Sequence, residues 1–125
     1  MHISTNNNYA LVLAGFGFEK NFLNGIKFLW QAENISGKTI NYYTITLYFY
    51  NSVGDPAYDE ITGKNYKTLK YVGPVKPGQN LIIYTNVGYV PACSKVTVGD
   101  IKLEYSDGTT ESGWYGYYTT KKFYD

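Results

Sequence analysis

Apolar and polar residues alternate with a period of two along most of the 125-residue chain. The alternation is strictest over residues 26–33, where one set of positions carries all the charge and the other set is Ile26, Phe28, Trp30 and Ala32. Successive side chains of a β-strand point to opposite faces, so this period predicts strands with one face in a core. The three- and four-residue spacing of an amphipathic helix is nearly absent, and we therefore predict an all-β protein.

A polar turn over residues 34–38, which contains Gly37, precedes a long alternating segment over residues 40–51. We assign one face of this segment to the core, namely Tyr43, Ile45, Leu47 and Phe49. The opposite face consists of Tyr42, Thr44, Thr46, Tyr48 and Tyr50. Because both faces have apolar surface, we expect this strand to lie in the middle of its sheet.

Turn signals divide the rest of the chain into further strands. The predicted strands are residues 9–19, 61–66, 67–71, 79–85, 95–105 and 110–118, and the predicted turns are Asn24–Gly25, 53–56, 73–78 and 106–109. The apolar positions change parity after Val98, which predicts a β-bulge near Gly99 and Asp100. About seven or eight strands at this spacing favour two packed antiparallel sheets, preceded by a flexible segment over residues 1–8.

Length and charge exclude several classes of protein. The chain suits a single domain, residues 1–125, with one core. Its 11 basic residues are all lysines and balance 10 acidic ones to a net charge of +1, so we predict no nucleic-acid binding. Cys93 is the single cysteine, which excludes an intramolecular disulfide and favours a buried, packed side chain.

No apolar run approaches ~20 residues and no basic region precedes an apolar one at the N-terminus, so neither membrane insertion nor a signal peptide is predicted.

The sequence offers little for catalysis or for a bound cofactor. His2 is the only histidine, so no Ser-His-Asp or Cys-His arrangement of the ordinary kind and no histidine-rich metal site can form. Three acidic residues, Asp55, Asp59 and Glu60, are a weak candidate for a Ca²⁺ site, although a solvated turn is the favoured interpretation. We therefore expect a protein that is not an enzyme and has no cofactor.

Aromatic residues make up 18% of the chain, and 15 of them are tyrosines. Exposed aromatic rings can stack on sugars or bases, or anchor a protein interface. The candidates for a ligand- or partner-binding site are Trp114, Tyr115, Tyr117 and Tyr118 near the C-terminus, and Tyr42, Tyr48 and Tyr50 on the outer face of the 40–51 strand. The alternative is that alternation places about half of these rings in the core.

Four segments carry a family likeness: residues 34–38 (NISGK), 45–55 (ITLYFYNSVGD), 71–78 (YVGPVKPG) and 101–109 (IKLEYSDGT). Together they resemble the immunoglobulin-like FxLYD-type domains of Gram-positive bacteria and a related bacterial domain of unknown function. The Phe-x-Leu-Tyr-Asp pattern is met in part, with Ile45 for its Phe and Phe49 for its Asp. The resemblance implies an antiparallel immunoglobulin-like β-sandwich, used as an accessory module of an exported or surface protein and hence extracytoplasmic.

Three functions fit these observations. The first, which we rank highest, is a non-catalytic interaction or structural module that binds a protein partner or forms a homo-oligomer, through its tyrosines or an exposed edge strand. The second is a carbohydrate-binding module that uses Trp114, Tyr115 and Tyr117. The third is an intracellular protein that binds or sequesters a small ligand, a metabolite or a nucleotide. The missing export signal is the only sequence feature that favours this function.

Overall fold

The computed structural model describes residues 2–5 and 8–119 of the chain, with side chains described for residues 10–113. These residues form eight strands: β1 (His2–Thr5), β2 (Asn8–Lys20), β3 (Gly25–Asn34), β4 (Ile40–Tyr50), β5 (Tyr66–Val75), β6 (Asn80–Tyr89), β7 (Lys95–Tyr105) and β8 (Thr110–Thr119). In this part of the chain, no helix has the length and apolar character that crossing a membrane requires.

Two antiparallel four-stranded sheets form a sandwich. The first sheet has the strand order β1-β2-β3-β6, and the second has the order β5-β4-β7-β8. The chain stays within one sheet from β1 to β3, from β4 to β5 and from β7 to β8, and it crosses to the other sheet after β3, β5 and β6. This connectivity is immunoglobulin-like, which confirms the predicted fold class.

The strict alternation of β3 and β4 places one face of each strand in the core, as predicted. Trp30 on β3 is 1% exposed and Phe49 on β4 is 0% exposed. β4 lies between β5 and β7, which confirms its predicted central position. Burying one large apolar side chain contributes about 1.5–3 kcal/mol, so this shared core is the main stabilising contribution. The largest fully buried side chains are Trp30, Phe28, Phe49, Leu11, Ile26, Ile40, Ile45, Leu47, Leu81, Ile83 and Ile101.

A β-bulge in β7 explains why its apolar positions change parity. Val98 pairs with Leu47 of β4 and Ile101 pairs with Ile45, so two residues of β7, Gly99 and Asp100, lie opposite the single residue Thr46. Because of this extra residue, Val98 and Ile101 both face the core, with 0% and 1% of their surface exposed. The predicted bulge is confirmed.

Several boundaries differ from the sequence prediction. Residues 61–65 are not a strand, and β5 begins at Tyr66. β5 then continues through Gly73 and Pro74, which were predicted as loop, because an edge strand can hold a proline without losing a hydrogen bond to a second neighbour. β6 continues to Tyr89, and β1 pairs with β2 where no strand was predicted.

The polar segment after β3 is an arch between the two sheets, since β3 and β4 belong to different sheets. The Asn34 side chain at its start is fully buried, and it uses both donors and both acceptor positions of its amide. Its Nδ2 donates to the carbonyl oxygens of Lys38 (2.8 Å) and Val75 (3.0 Å). Its Oδ1 accepts from the N–H (3.0 Å) and the hydroxyl (2.6 Å) of Ser36.

The backbone of Asn34 extends this network to the turn before β6. Its N–H donates to the carbonyl oxygen of Gln79 (2.8 Å), and its carbonyl oxygen accepts from the N–H of Gly78 (2.8 Å). Asn34 therefore joins the end of β3, the arch, the end of β5 and the connection from β5 to β6. Because both connections cross between the sheets, this one residue sets how the sheets meet at this end.

Replacing Asn34 by alanine is expected to lower the free energy of unfolding by roughly 2–4 kcal/mol, because each buried polar group left without a partner costs about 1–3 kcal/mol. Urea denaturation measures the change. Asn80→Ala, at an exposed position at the start of β6, is the control and should change stability by less than about 0.5 kcal/mol. Equal losses in the two variants would contradict the role assigned to Asn34.

Candidate functional site

Tyrosines line the outer surface of the second sheet. Tyr42, Tyr48 and Tyr50 lie on this surface, as predicted, and Tyr66 joins them from β5 because it pairs with Tyr48. Tyr42 and Tyr66 are 40% and 38% exposed, and Tyr48 and Tyr50 are half-buried. We call the surface defined by Tyr42, Tyr48, Tyr50 and Tyr66 the tyrosine face.

Three of these tyrosines have a lysine ammonium group above the ring. The distances from Nζ to the ring centroid are 5.0 Å for Lys70 and Tyr42, 5.1 Å for Lys95 and Tyr50, and 5.5 Å for Lys64 and Tyr66. Such a contact contributes about 0.5–1 kcal/mol at an exposed site. The rings are thereby held in place, which reduces the entropy that a partner must overcome on binding.

Contacts between β4 and β5 fix the middle of the tyrosine face. The rings of Tyr48 and Tyr66 lie 6.3 Å apart at 45°, and the hydroxyl oxygens of Thr46 and Thr68 lie 3.2 Å apart. Both are directly opposite pairs, the kind of contact that stabilises antiparallel sheets. Burial, together with the Asp100 carboxylate, raises the pKa of Tyr48 above its usual value.

The second predicted group of aromatic residues lies on β8. Pairing with β7 places Trp114 opposite Asp100, Tyr117 opposite Val98 and Tyr118 opposite Thr97. The side chains of Trp114, Tyr115, Tyr117 and Tyr118 lie outside the part of the chain whose side chains the structure describes. Their participation in binding therefore stays a prediction.

An open cavity of about 330 Å³ adjoins the tyrosine face at Tyr66. This volume is at the lower end of the ~300–1,000 Å³ that is usual for small-ligand pockets. Threonine hydroxyls and lysine ammonium groups in its wall can bind hydroxyl-bearing or anionic groups, and the Tyr66 ring offers a stacking surface. The lining residues are Asp59, Thr62, Lys64, Tyr66, Lys67 and Thr68.

The fold does not assemble Asp55, Asp59 and Glu60 into a cation site. Among the described residues, no three histidine, cysteine or acidic side chains are grouped so that they could hold a metal ion. Asp59 is buried, and its carboxylate accepts hydrogen bonds from the backbone N–H groups of Ile61 (2.7 Å), Thr62 (3.2 Å) and Tyr89 (3.3 Å). A Cβ at Gly88 would collide with this carboxylate, so glycine is required there. Asp59 thus fastens the 51–65 loop to the end of β6.

The Cys93 thiol is buried rather than activated. Cys93 is 2% exposed, and its Sγ lies 3.7 Å from the carbonyl oxygen of Lys95, to which it donates. Burial raises the pKa of the thiol to about 11, whereas a nucleophilic cysteine needs a lowered pKa in a partly exposed site. His2, the only histidine, lies in β1, and its side chain is outside the described part.

Sequence reasoning missed a group of exposed apolar side chains at one end of the sandwich. We call this the loop end, where the chain turns from β2 to β3, from β4 to β5 and from β6 to β7. The first turn is centred two residues before the predicted Asn24–Gly25, because Asn24 takes the positive-φ position (67°) and Gly25 already belongs to β3. The group consists of Phe22, Leu23, Val53 and Ile61. An apolar residue inside a predicted turn is the signal that could have found Val53. Phe22 and Leu23 precede the predicted turn, and Ile61 was predicted as the start of a strand.

Comparisons with known proteins identify no family for this chain. No family model matches it, and no curated protein matches it. Among solved structures, it is similar to a DUF3823 family protein from Bacteroides ovatus ATCC 8483, with 13% sequence identity and a TM-score of 0.44. The similarity covers 86% of this chain and 52% of the other, so this chain spans about half the length of that protein. The comparisons do not confirm the resemblance to FxLYD-type domains.

Replacing Asp59 by alanine is expected to lower the free energy of unfolding by about 1–3 kcal/mol, because backbone N–H groups at the loop end lose their acceptor. Urea denaturation measures the loss. Glu60→Ala removes the exposed neighbouring carboxylate and serves as the control, with little expected change. If Asp59→Ala were as stable as Glu60→Ala, the carboxylate would not be what holds the loop.

Stability is expected to fall as the pH rises above about 9. Burial raises the pKa of Cys93 from 9.0 to about 11, and burial with the nearby Glu111 raises that of Tyr105 from 10.0 to about 12. The folded protein holds both protons more tightly than the unfolded chain, and this difference contributes to the free energy of unfolding. The contribution is complete below pH 9 and is lost as the pH rises through 11 and 12. Urea midpoints measured across this range test the fall. The Cys93→Ala variant should show a smaller slope between pH 9 and 11, and an unchanged slope would count against the buried thiol as a cause.

Proposed function

We propose that this protein is a non-catalytic interaction module that binds a protein partner through the tyrosine face. The observation that carries the proposal is the row of partly exposed tyrosines on a sheet surface, three of them beneath lysine ammonium groups. Tyrosine is enriched at protein interfaces, since its ring supplies apolar contact area and its hydroxyl supplies a hydrogen bond.

The size of the tyrosine face favours a small interface. The whole outer surface of the second sheet, with four strands spaced by ~4.8 Å and ten residues at ~3.3 Å each, measures roughly 600 Å². The tyrosine face, on β4 and β5, is a part of this surface. A standard protein interface buries about 800 Å² on each partner. The face by itself therefore suits a weak or transient complex, of the kind that an accessory module forms.

The state of the groups usually used for catalysis supports the non-enzymatic part of the proposal. Within the described residues, the Asp59 carboxylate is engaged by backbone N–H groups and the Cys93 thiol is buried with a raised pKa. The resemblance to FxLYD-type domains, which implies an accessory module of a surface protein, favours the same conclusion.

Capture on immobilised protein tests this proposal. The baits are the wild type, the double variant Tyr48→Ser/Tyr66→Ser, and the control Tyr84→Ser, which removes an exposed tyrosine from the first sheet. Extracts and culture supernatant of the organism that encodes the protein are the source of partners. We expect a protein that the wild type and the control retain equally and that the double variant retains at least about tenfold less, since anchoring aromatics each contribute more than 1 kcal/mol.

The captured protein is then purified and its affinity for each bait is measured by calorimetry. Equal affinity for all three baits would contradict binding through the tyrosine face. If the captured protein is the bait itself, light scattering of the purified chain must show an oligomer that the double variant loses.

A carbohydrate ligand is the second candidate, and the cavity beside Tyr66 favours it. The cavity combines a ring for stacking with hydroxyl and ammonium groups for the polar edges of a sugar. A glycan array probed with wild type, Tyr66→Ala and the control Tyr84→Ala tests this function, and Trp114→Ala tests the predicted part of β8. Binding that Tyr66→Ala abolishes would support it, whereas no bound glycan, or binding unaffected by Tyr66→Ala, would exclude this cavity as the site.

A further inference from the structure

Three turns at the two ends of the sandwich have the same backbone geometry. In the turns that begin at Asn21, Asn51 and Tyr105, the fourth N–H donates to the first carbonyl oxygen (3.0, 3.2 and 3.1 Å) and the first N–H donates to the fifth carbonyl oxygen (3.1, 2.8 and 2.9 Å). The fourth residue has a positive φ in each turn: 67° at Asn24, 92° at Gly54 and 86° at Gly108. The backbone therefore does not decide which side chains stand at the second and third positions, the tips.

The tips differ between the two ends. At the loop end they are Phe22 with Leu23 in one turn and Ser52 with Val53 in the other, whereas the turn at the opposite end has Ser106 with Asp107. A further loop-end turn, after Asp59, presents Ile61. The exposed fractions are 91% for Phe22, 60% for Leu23, 78% for Val53 and 73% for Ile61. Residues at the centre of a solvent-exposed turn are normally polar, so exposure to water does not explain the apolar side chains at these tips.

Each apolar tip is held by a side chain at the start of its turn. The Oδ1 atoms of Asn21, Asn51 and Asp59 accept hydrogen bonds from the N–H groups of Leu23 (2.9 Å), Val53 (3.0 Å) and Ile61 (2.7 Å), respectively. The loops also bond to one another, since Val90 N–H donates to Asn24 and Glu60 N–H donates to Tyr89. The tips are thus presented in fixed positions at one end of the molecule.

Amphipathic side chains accompany the apolar tips at the loop end. Tyr58 and Tyr89 are 58% and 36% exposed there. Lysines stand at or next to the ends of the strands, and the Nζ of Lys20 donates to the carbonyl oxygens of Pro91 (2.8 Å) and Cys93 (3.2 Å) in the β6–β7 loop. Aliphatic and phenyl groups occupy the turn tips, while Lys20, Tyr89 and Lys95 stand at the adjoining strand ends. These are the residue types that proteins place in the interior and at the rim of a membrane–water interface.

We propose that the loop end docks on the surface of a lipid bilayer, with Phe22, Leu23, Val53 and Ile61 entering the interfacial layer. A bilayer fits better than a protein partner because these side chains stand on three separate turns, and a fluid layer admits each of them without a matching pocket. The exposed carboxylates Asp55 and Glu60 offset the lysines, so docking does not require anionic lipid. This contact involves loop tips and no spanning segment, and it is independent of the tyrosine face.

Tryptophan placed at equivalent tip positions reports the orientation of docking. Phe22→Trp and Ser106→Trp put the same reporter at the second position of two turns with the same geometry, one at each end. Both are mixed with phosphatidylcholine vesicles that carry bromine atoms on the acyl chains, which quench tryptophan that enters the bilayer. Wild-type spectra supply the background of the native tryptophans, of which Trp30 is 1% exposed.

We expect quenching and a blue shift for Phe22→Trp and neither for Ser106→Trp. Quenching of neither reporter, or equal quenching of both, would overturn the proposal, because the first shows no insertion and the second shows adsorption without orientation.

Vesicle co-sedimentation of variants provides a second measurement. Phe22→Ser/Leu23→Ser should lower the partition into phosphatidylcholine vesicles at least about tenfold, since two large apolar side chains are lost from the bilayer. Ile35→Ser, at a 38% exposed position of the opposite end, is the control and should sediment like the wild type. Both sites are exposed, and circular dichroism verifies that the variants fold. A double variant that sediments like the wild type would overturn the proposal, and so would a wild-type dimer in light scattering that the double variant loses, because the occupant would then be a second copy.

Discussion

The arrangement of the two sheets depends on one buried amide, that of Asn34. Apolar contacts across the sandwich are strong in sum but have no direction, so they do not by themselves fix how the sheets are placed against each other. The Asn34 side chain and backbone bond to Ser36, Lys38, Val75, Gly78 and Gln79. A fully satisfied polar group in a core is compatible with few arrangements, so it selects one packing among the many that the apolar faces would allow.

The period of the sequence predicts most of the fold, and the exceptions have local causes. The core faces of β3 and β4 and the bulge at Gly99 and Asp100 follow from alternation, because one buried face specifies the register. Residues 61–65 look like a strand in sequence, but the Asp59 carboxylate captures the N–H groups of Ile61 and Thr62 and closes a turn instead. Pro74 lies in a strand because β5 has a neighbour on one side only, a property of the assembled sheet that is not visible in one segment.

The candidate site is half predictable for the same reason. Alternation along β4 places Tyr42, Tyr48 and Tyr50 outside, but the contribution of Tyr66 depends on how β5 pairs with β4 after a long connection. The lysines above the rings depend on pairing as well, since Lys70 comes from β5 and Lys95 from β7. Of the apolar tips of the loop end, Val53 was missed because residues of predicted turns were used only to divide the chain, and Ile61 was missed because it was assigned to a strand. In each case, the position of the side chain depends on neighbouring elements, and the residue pattern of a single strand does not show how those elements pair.

In the turns at Asn21, Asn51 and Tyr105, one set of positions determines the backbone geometry and another set determines which side chains are exposed. Their first, fourth and fifth residues carry the hydrogen bonds or the positive φ, whereas the second and third positions accept Phe-Leu, Ser-Val or Ser-Asp on the same backbone. Mutations at those two positions can therefore change what an end of the molecule recognises without passing through unstable intermediates. In evolution, and equally in engineering, the ends of this sandwich can acquire new surface chemistry while the sheets between them stay unchanged.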